Sequence, residues 1–169
     1  LPNKFGNIGT EIGNESFLRM SVRDYLSLRE KVKTFNFIDG SQLLWKLRMI
    51  KSLDEISKLK FICKIASEAY EKLPEKIGIG ETERSICSKL KIDLIERGAD
   101  HTLFMASGSG KVGYDQIVFN PTNKNLQKND VLFIDTGSTY GGYFCDFNRN
   151  FGFGSISDET HTAYTATWN

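Results

Sequence analysis

The sequence predicts an α+β domain in which helices cover one face of an antiparallel sheet. Between residues 52 and 98 apolar residues recur at helical spacing, whereas after residue 100 the pattern changes to short β-branched and aromatic runs. Clusters of Gly, Asn, Pro and Ser separate those runs. Helix-start chemistry then returns at Ser157, Asp158 and Glu159.

Each element has its own signal. Ser52 followed by Glu55 forms a capping box, and Asp54 lies in the favourable first turn. The stripe Ile56, Leu59, Ile62, Ala66, Ala69 and Leu73 continues to Pro74, which predicts the stop. A second helix begins after Gly80 with Thr82 as its cap, carries Ile86, Leu90, Leu94 and Ile95, and ends at Gly98. Strands are expected at Leu103–Ala106, Gln116–Phe119, Val131–Thr136 and Tyr143–Phe151. Residues 1–50 hold only short apolar patches, a turn at Asp39-Gly40 and a short helix from Ser41 to Met49. They read as the end of a preceding domain and a connector, with residues 51–169 forming the next domain. Leu1 is not an initiator Met, and Asn169 falls inside the first turns of the last helix. Both ends are therefore expected to be cuts through a larger protein.

Composition narrows the function. A net charge of +1 offers no electrostatic reason for a nucleic-acid or acidic-surface partner. No apolar run approaches the roughly 20 residues needed to span a bilayer, and no charged-then-apolar leader opens the chain. Cys63, Cys87 and Cys145 are odd in number and lack CxxC spacing, which argues against a zinc knuckle or a disulfide framework. A reducing, cytoplasmic setting is the expectation.

Two motifs mislead. Gly108, Gly110 and Gly113 spell GxGxxG, but a dinucleotide site needs a helix to open there, and Tyr114–Phe119 reads as a strand. Gly110-Lys111 fails as a P-loop because Val112 stands where Ser or Thr is required and Met105 where the first Gly is required. His101 and His161 read as structural or surface residues.

The segment that carries chemistry is DVLFIDTGSTYGGYFCDFNRNF, Asp130 to Phe151. It reads as a β-hairpin with a Gly-rich connection. An even loop centred on Tyr140-Gly141 would set Asp135 directly opposite Asp146, on one sheet face; an odd loop would separate them. Two carboxylates about 5 Å apart repel by about 3 kcal/mol at an effective dielectric of about 20. Such a pair calls for a shared proton, a basic partner or a divalent cation. The plainer alternative is that one Asp caps the turn while the other pairs with Arg149. Spacing alone leaves both readings open.

The stretch IDTGSTYGGYFCDFNRNFGFG resembles the metal-binding hairpin of peptidase family M24, the creatinase/Xaa-Pro aminopeptidase/methionine aminopeptidase superfamily, and is most like an Xaa-Pro aminopeptidase or dipeptidase. LRMIKSLDEISKLKFICKIA and GIGETERSICSKL resemble that family's first two catalytic-domain helix entries, and NLQKNDVLFIDTG its lead-in to the first ligand strand. The resemblance implies the first half of a pita-bread catalytic domain. It implies Asp135 and Asp146 as metal ligands, one chelating and one bridging two divalent ions, Mn or alternatively Co, Zn or Fe. A metal-bound hydroxide would attack a peptide or amide carbonyl. The general base and remaining ligands are expected beyond Asn169, which would leave this chain alone inactive, and a homodimer is expected of the intact protein. The family's substrate-binding His before the first Asp has no counterpart in Gln116–Asn120. Three other readings stay open: a creatinase-like C–N hydrolase, a lyase on the same fold, and a metal-free peptide-binding module.

Overall fold

The computed structural model describes residues 6–111 and 120–168. The chain divides into two compact units, Leu1–Ser52 and Leu53–Asn169.

In the first unit, strand β1 (Gly6–Thr10) pairs in parallel with β2 (Phe35–Asp39), and helix α1 (Val22–Lys31) joins them. Ser21 caps α1 by accepting the Asp24 amide hydrogen. Helix α2 (Ser41–Met49) follows, as its sequence predicts. The strand–helix–strand crossover went unread because β1 carries two glycines in five residues and alternates poorly. Parallel pairing supplies what local pattern does not.

The second unit begins with α3 (Leu53–Lys76), directly after Ser52. It runs two residues past Pro74, which lies in the last turn, where the missing N–H costs one hydrogen bond rather than a break. Helix α4 (Glu83–Glu96) has the expected ends. Thr82 Oγ1 accepts the Ser85 amide hydrogen, and Gly98 takes φ +109°, a left-handed conformation that favours glycine. Strands β3 (His101–Gly110), β4 (Val131–Tyr140) and β5 (Tyr143–Gly152) form an antiparallel sheet in that order, and α5 (Asp158–Trp168) closes the unit. Ser157 Oγ accepts the Thr160 amide hydrogen at the start of α5. The expected strand at Gln116–Phe119, and Gly113 of the glycine motif, lie outside the described residues. Gly108 and Gly110 are inside β3, paired with Phe133 and Val131, where a phosphate loop would need a turn.

Alternation gives the sheet two unlike faces. One carries Leu132, Ile134, Thr136 and Ser138 of β4 with Cys145, Phe147 and Phe151 of β5. It packs on Ile62, Ile65, Ala66, Ala69 and Leu73 of α3, together with Ile86, Leu90 and Leu94 of α4. Tyr70 ties helix to sheet, its buried hydroxyl lying 3.2 Å from the Ile134 carbonyl and 3.0 Å from that of Phe147. Cys63, Cys87 and Cys145 are free thiols. Burial pushes the Cys87 thiol up to about 11 and raises Cys145 as well, so both serve as protonated packing groups. The other face carries Phe133, Asp135, Gly137 and Thr139 with Phe144, Asp146 and Asn148. No helix among the described residues is long and apolar enough to cross a membrane.

Candidate metal centre

The geometry of the two aspartates follows from one turn. Gly141 and Gly142 have φ of +56° and +82°, as a two-residue type I′ hairpin turn requires of both central residues. The turn is therefore centred on Gly141-Gly142, one residue later than a Tyr140-Gly141 centre would place it. Tyr140 pairs with Tyr143, Gly137 with Asp146, and Asp135 with Asn148. The expected direct opposition of Asp135 and Asp146 is corrected to a diagonal. Because the loop remains even, both side chains still point to the same face, away from α3 and α4.

Asp135 is half-buried and Asp146 exposed. Burial raises the Asp135 pKa above the usual carboxylate value, and the adjacent Asp146 charge and a hydrogen bond between the two carboxyls push it further the same way. The Oδ1 atom of Asp135 is buried and has no hydrogen-bond partner among the described residues. A buried, unpartnered carboxylate oxygen costs free energy unless something electropositive answers it.

The plainer pairing with Arg149 is not formed. Arg149 lies opposite Ile134 on the helix-covered face, with its guanidinium 6.0 Å from the Tyr70 ring centroid and 5.2 Å from that of Phe147. No ion pair joins it to Asp146 among the described residues. Asp100, not an aspartate of the pair, holds the turn, its carboxylate accepting the Gly141 amide hydrogen at 2.6 Å.

The donor set suits a hard divalent ion, since both groups when ionised offer only acceptor oxygens and one oxygen has no partner among the described residues. It is also incomplete, because no cluster of three or more His, Cys, Asp or Glu forms among the described residues. His101 opens β3 opposite Thr139 and is exposed; His161 is exposed on α5. Neither joins the aspartates. Asn120 is likewise exposed, and the residues 116–119 before it lie outside the described range.

One feature beside the pair escaped the sequence reading. Phe104 of β3 stands opposite Gly137 on the same face as the aspartates, because a bulge between Thr102 and Phe104 shifts the register. Its signal would have been two adjacent apolar residues, Leu103 and Phe104, interrupting strict alternation.

Two carboxylates on one face of a hairpin are a donor chemistry suited to a divalent cation. The family model for metallopeptidase family M24 matches residues 57–169, and the chain belongs to that family. Among its relatives, an Xaa-Pro dipeptidase of Lactobacillus helveticus is 29% identical over 147 residues, covering 86% of this chain and 40% of the relative. An Xaa-Pro dipeptidase of Pyrococcus furiosus is 28% identical over 156 residues, covering 90% and 43%. The solved Xaa-Pro dipeptidase from Bacillus anthracis superposes with a TM-score of 0.77 at 28% identity, covering 87% of this chain and 41% of that one. The chain thus spans about two fifths of the length of the relatives it matches. Its α+β fold is that of part of the pita-bread domain of this family.

Proposed function

We propose that this chain is the metal-ligand hairpin portion of a dinuclear-metal hydrolase that cleaves Xaa-Pro peptides. Residues 1–50 would close a preceding domain, and residues 51–169 would form the N-terminal half of the catalytic domain. The observation that carries the reading is the buried Oδ1 of half-buried Asp135, without a partner among the described residues, beside Asp146 on the face turned away from α3 and α4. Asp135 would chelate one ion and Asp146 would bridge two, with the remaining donors supplied from beyond the described residues. Divalent ions held there supply Lewis-acid activation of water and of the substrate carbonyl. Asp135 and Asp146 themselves do two things: they fix the cations by charge, and the rigid β4–β5 pairing holds that charge in place.

Manganese suits the carboxylate donors. Free thiols at all three cysteines fit a cytoplasmic protein. A peptide substrate and homodimer assembly are expected from the family, and no nucleic-acid or membrane partner is proposed.

The test is Asp146→Asn in a protein of the relatives' full length. Metal content should fall by at least one ion per chain and Xaa-Pro hydrolysis should be abolished, while the thermal midpoint measured with chelator stays level or rises. Unchanged metal stoichiometry in the variant would sink the proposal.

A further inference from the structure

We infer that Tyr70 is a positioning residue of the metal centre: from the helix-covered face its hydroxyl ties β4 to β5 at the rung that carries Asp135, and so sets the spacing of the two carboxylates. The inference rests on the reading of Asp135 and Asp146 as metal ligands and adds what holds them in place.

The place of the hydroxyl is the first observation. It lies 3.0 Å from the Phe147 carbonyl and 3.2 Å from the Ile134 carbonyl. Those carbonyls belong to the peptide groups that lead into Asn148 on β5 and Asp135 on β4, and Asp135 and Asn148 are paired. One proton shared between two carbonyls makes a three-centre bond, and this one spans both strands behind Asp135. Phe147 also follows Asp146 directly, so a shift of its peptide group moves Asp146 as well.

The second is that the hydroxyl is held in that place. Tyr70 is 2% exposed. Its ring runs close to parallel with those of Phe147 and Phe151, at centroid distances of 6.4 and 6.3 Å and plane angles of 20° and 13°. Burial, followed by the Asp135 charge, raises the Tyr70 pKa, so the proton needed for donation is retained at neutral pH. A phenylalanine would fill the same space against the same rings. Packing alone therefore does not call for a buried oxygen at this position; the two carbonyls do.

The third is the load on the strands. Among the described residues β5 is paired on one side only, with β4. Repulsion between Asp135 on β4 and Asp146 on β5 acts across that one pairing. Strands without a tie would answer it by opening at the Asp135 rung. A buried bond to both strands resists the opening and keeps the carboxylates at one separation before a cation arrives. Ligands preset in this way have less freedom to lose on binding.

The experiment compares wild type, Tyr70→Phe and Ile65→Val in a protein of the relatives' full length. Ile65 faces Gly98 from the same helix, so Ile65→Val supplies a packing loss away from the Asp135 rung. Titration of Mn²⁺ into the metal-free protein gives its Kd, and thermal midpoints are measured in chelator for each chain with and without Asp135→Asn. Tyr70→Phe should raise the Mn²⁺ Kd about threefold to tenfold with the number of bound ions unchanged, whereas Ile65→Val lowers the midpoint and leaves the Kd level. In chelator, the gain in midpoint from Asp135→Asn should shrink by about half in the Tyr70→Phe background, because strands freed from the tie already relieve part of the repulsion. An unchanged Kd in Tyr70→Phe overturns the inference, and so does an equal loss of affinity in Ile65→Val; Tyr70 is then a packing group and the metal reading stands. If the wild type binds no Mn²⁺, the metal reading fails. A shrunken gain from Asp135→Asn then keeps Tyr70 as the residue that spaces the carboxylates, and an undiminished gain overturns both.

Discussion

The two faces of the β4–β5 hairpin are built from alternate residues of the same strands, yet they do different work. On the helix side, Leu132 and Ile134 are fully buried and Tyr70 bonds to carbonyls of both strands. On the other side, Phe144, Asp146 and Asn148 are exposed and Asp135 is half-buried, while Val131 and Phe133 farther along β4 are buried. Stability is concentrated on one face, and the charge repulsion that a cation would relieve is placed on the other. Strand alternation lets ten residues hold an unfavourable carboxylate pair in place, because neighbours such as Leu132, Ile134 and Cys145 are anchored in the core. A helix of the same length would offer no such clean separation, since its faces blend around the axis.

Substitutions on each face sharpen or break this contrast. The largest stability effect belongs to the helix side. Ile134→Ala should cost about 3 kcal/mol, from lost burial plus the cavity left against α3 and α4. Urea denaturation checks it, and a loss well under about 1 kcal/mol would mean that the helix-covered face is not the anchor.

A smaller effect of opposite sign is expected on the open face. Without metal, Asp135→Asn should stabilise the protein by about 1 kcal/mol at neutral pH, by removing a partly desolvated charge beside another. The pH dependence follows from the sign of the shift. The folded-state pKa of Asp135 is raised above the ordinary aspartate value of 3.8, so its contribution to stability is fully present below that value and is lost as pH rises through the folded pKa. The advantage of the variant should therefore vanish in acid and level off above the folded pKa. Denaturation of wild type and variant in chelator across that range measures it. A variant advantage that persists below pH 3.8 would point to a packing effect instead.

The smallest effect tests the segregation itself. Arg149→Ala removes a cation lying over the Tyr70 and Phe147 rings and should cost about 0.5 kcal/mol. Metal content in the longer protein should not change, since Arg149 and the aspartates occupy opposite faces. A change in metal stoichiometry would show that the two faces communicate.

Local signals made much of this fold legible. Thr82 and Gly98 bracket α4 because a hydroxyl cap and a left-handed glycine act within one turn of the helix, with no help from elsewhere. The hairpin followed from alternation and its glycines, and a shared face for Asp135 and Asp146 was expected on condition of an even loop, which the structure supplies. The course of α3 past Pro74 was less legible, because a last-turn proline can be accommodated once α3 is packed against the sheet.

What the sequence by itself determined was the order of the second unit's described elements and a Gly-rich hairpin that carries both aspartates. Those depend on residues within a few positions of each other. The tertiary structure alone decided the rest. It chose Gly141-Gly142 over Tyr140-Gly141 as the turn, which made the aspartates diagonal rather than opposite. It placed the bulge that brings Phe104 beside Gly137, joined β1 to β2 in parallel, and sent Arg149 over Tyr70 instead of toward Asp146. Each of these is a choice of register or pairing between segments distant in the chain. Such choices are set by the sum of packing against α3 and α4 and of backbone hydrogen bonds across the sheet, and no single residue encodes that sum.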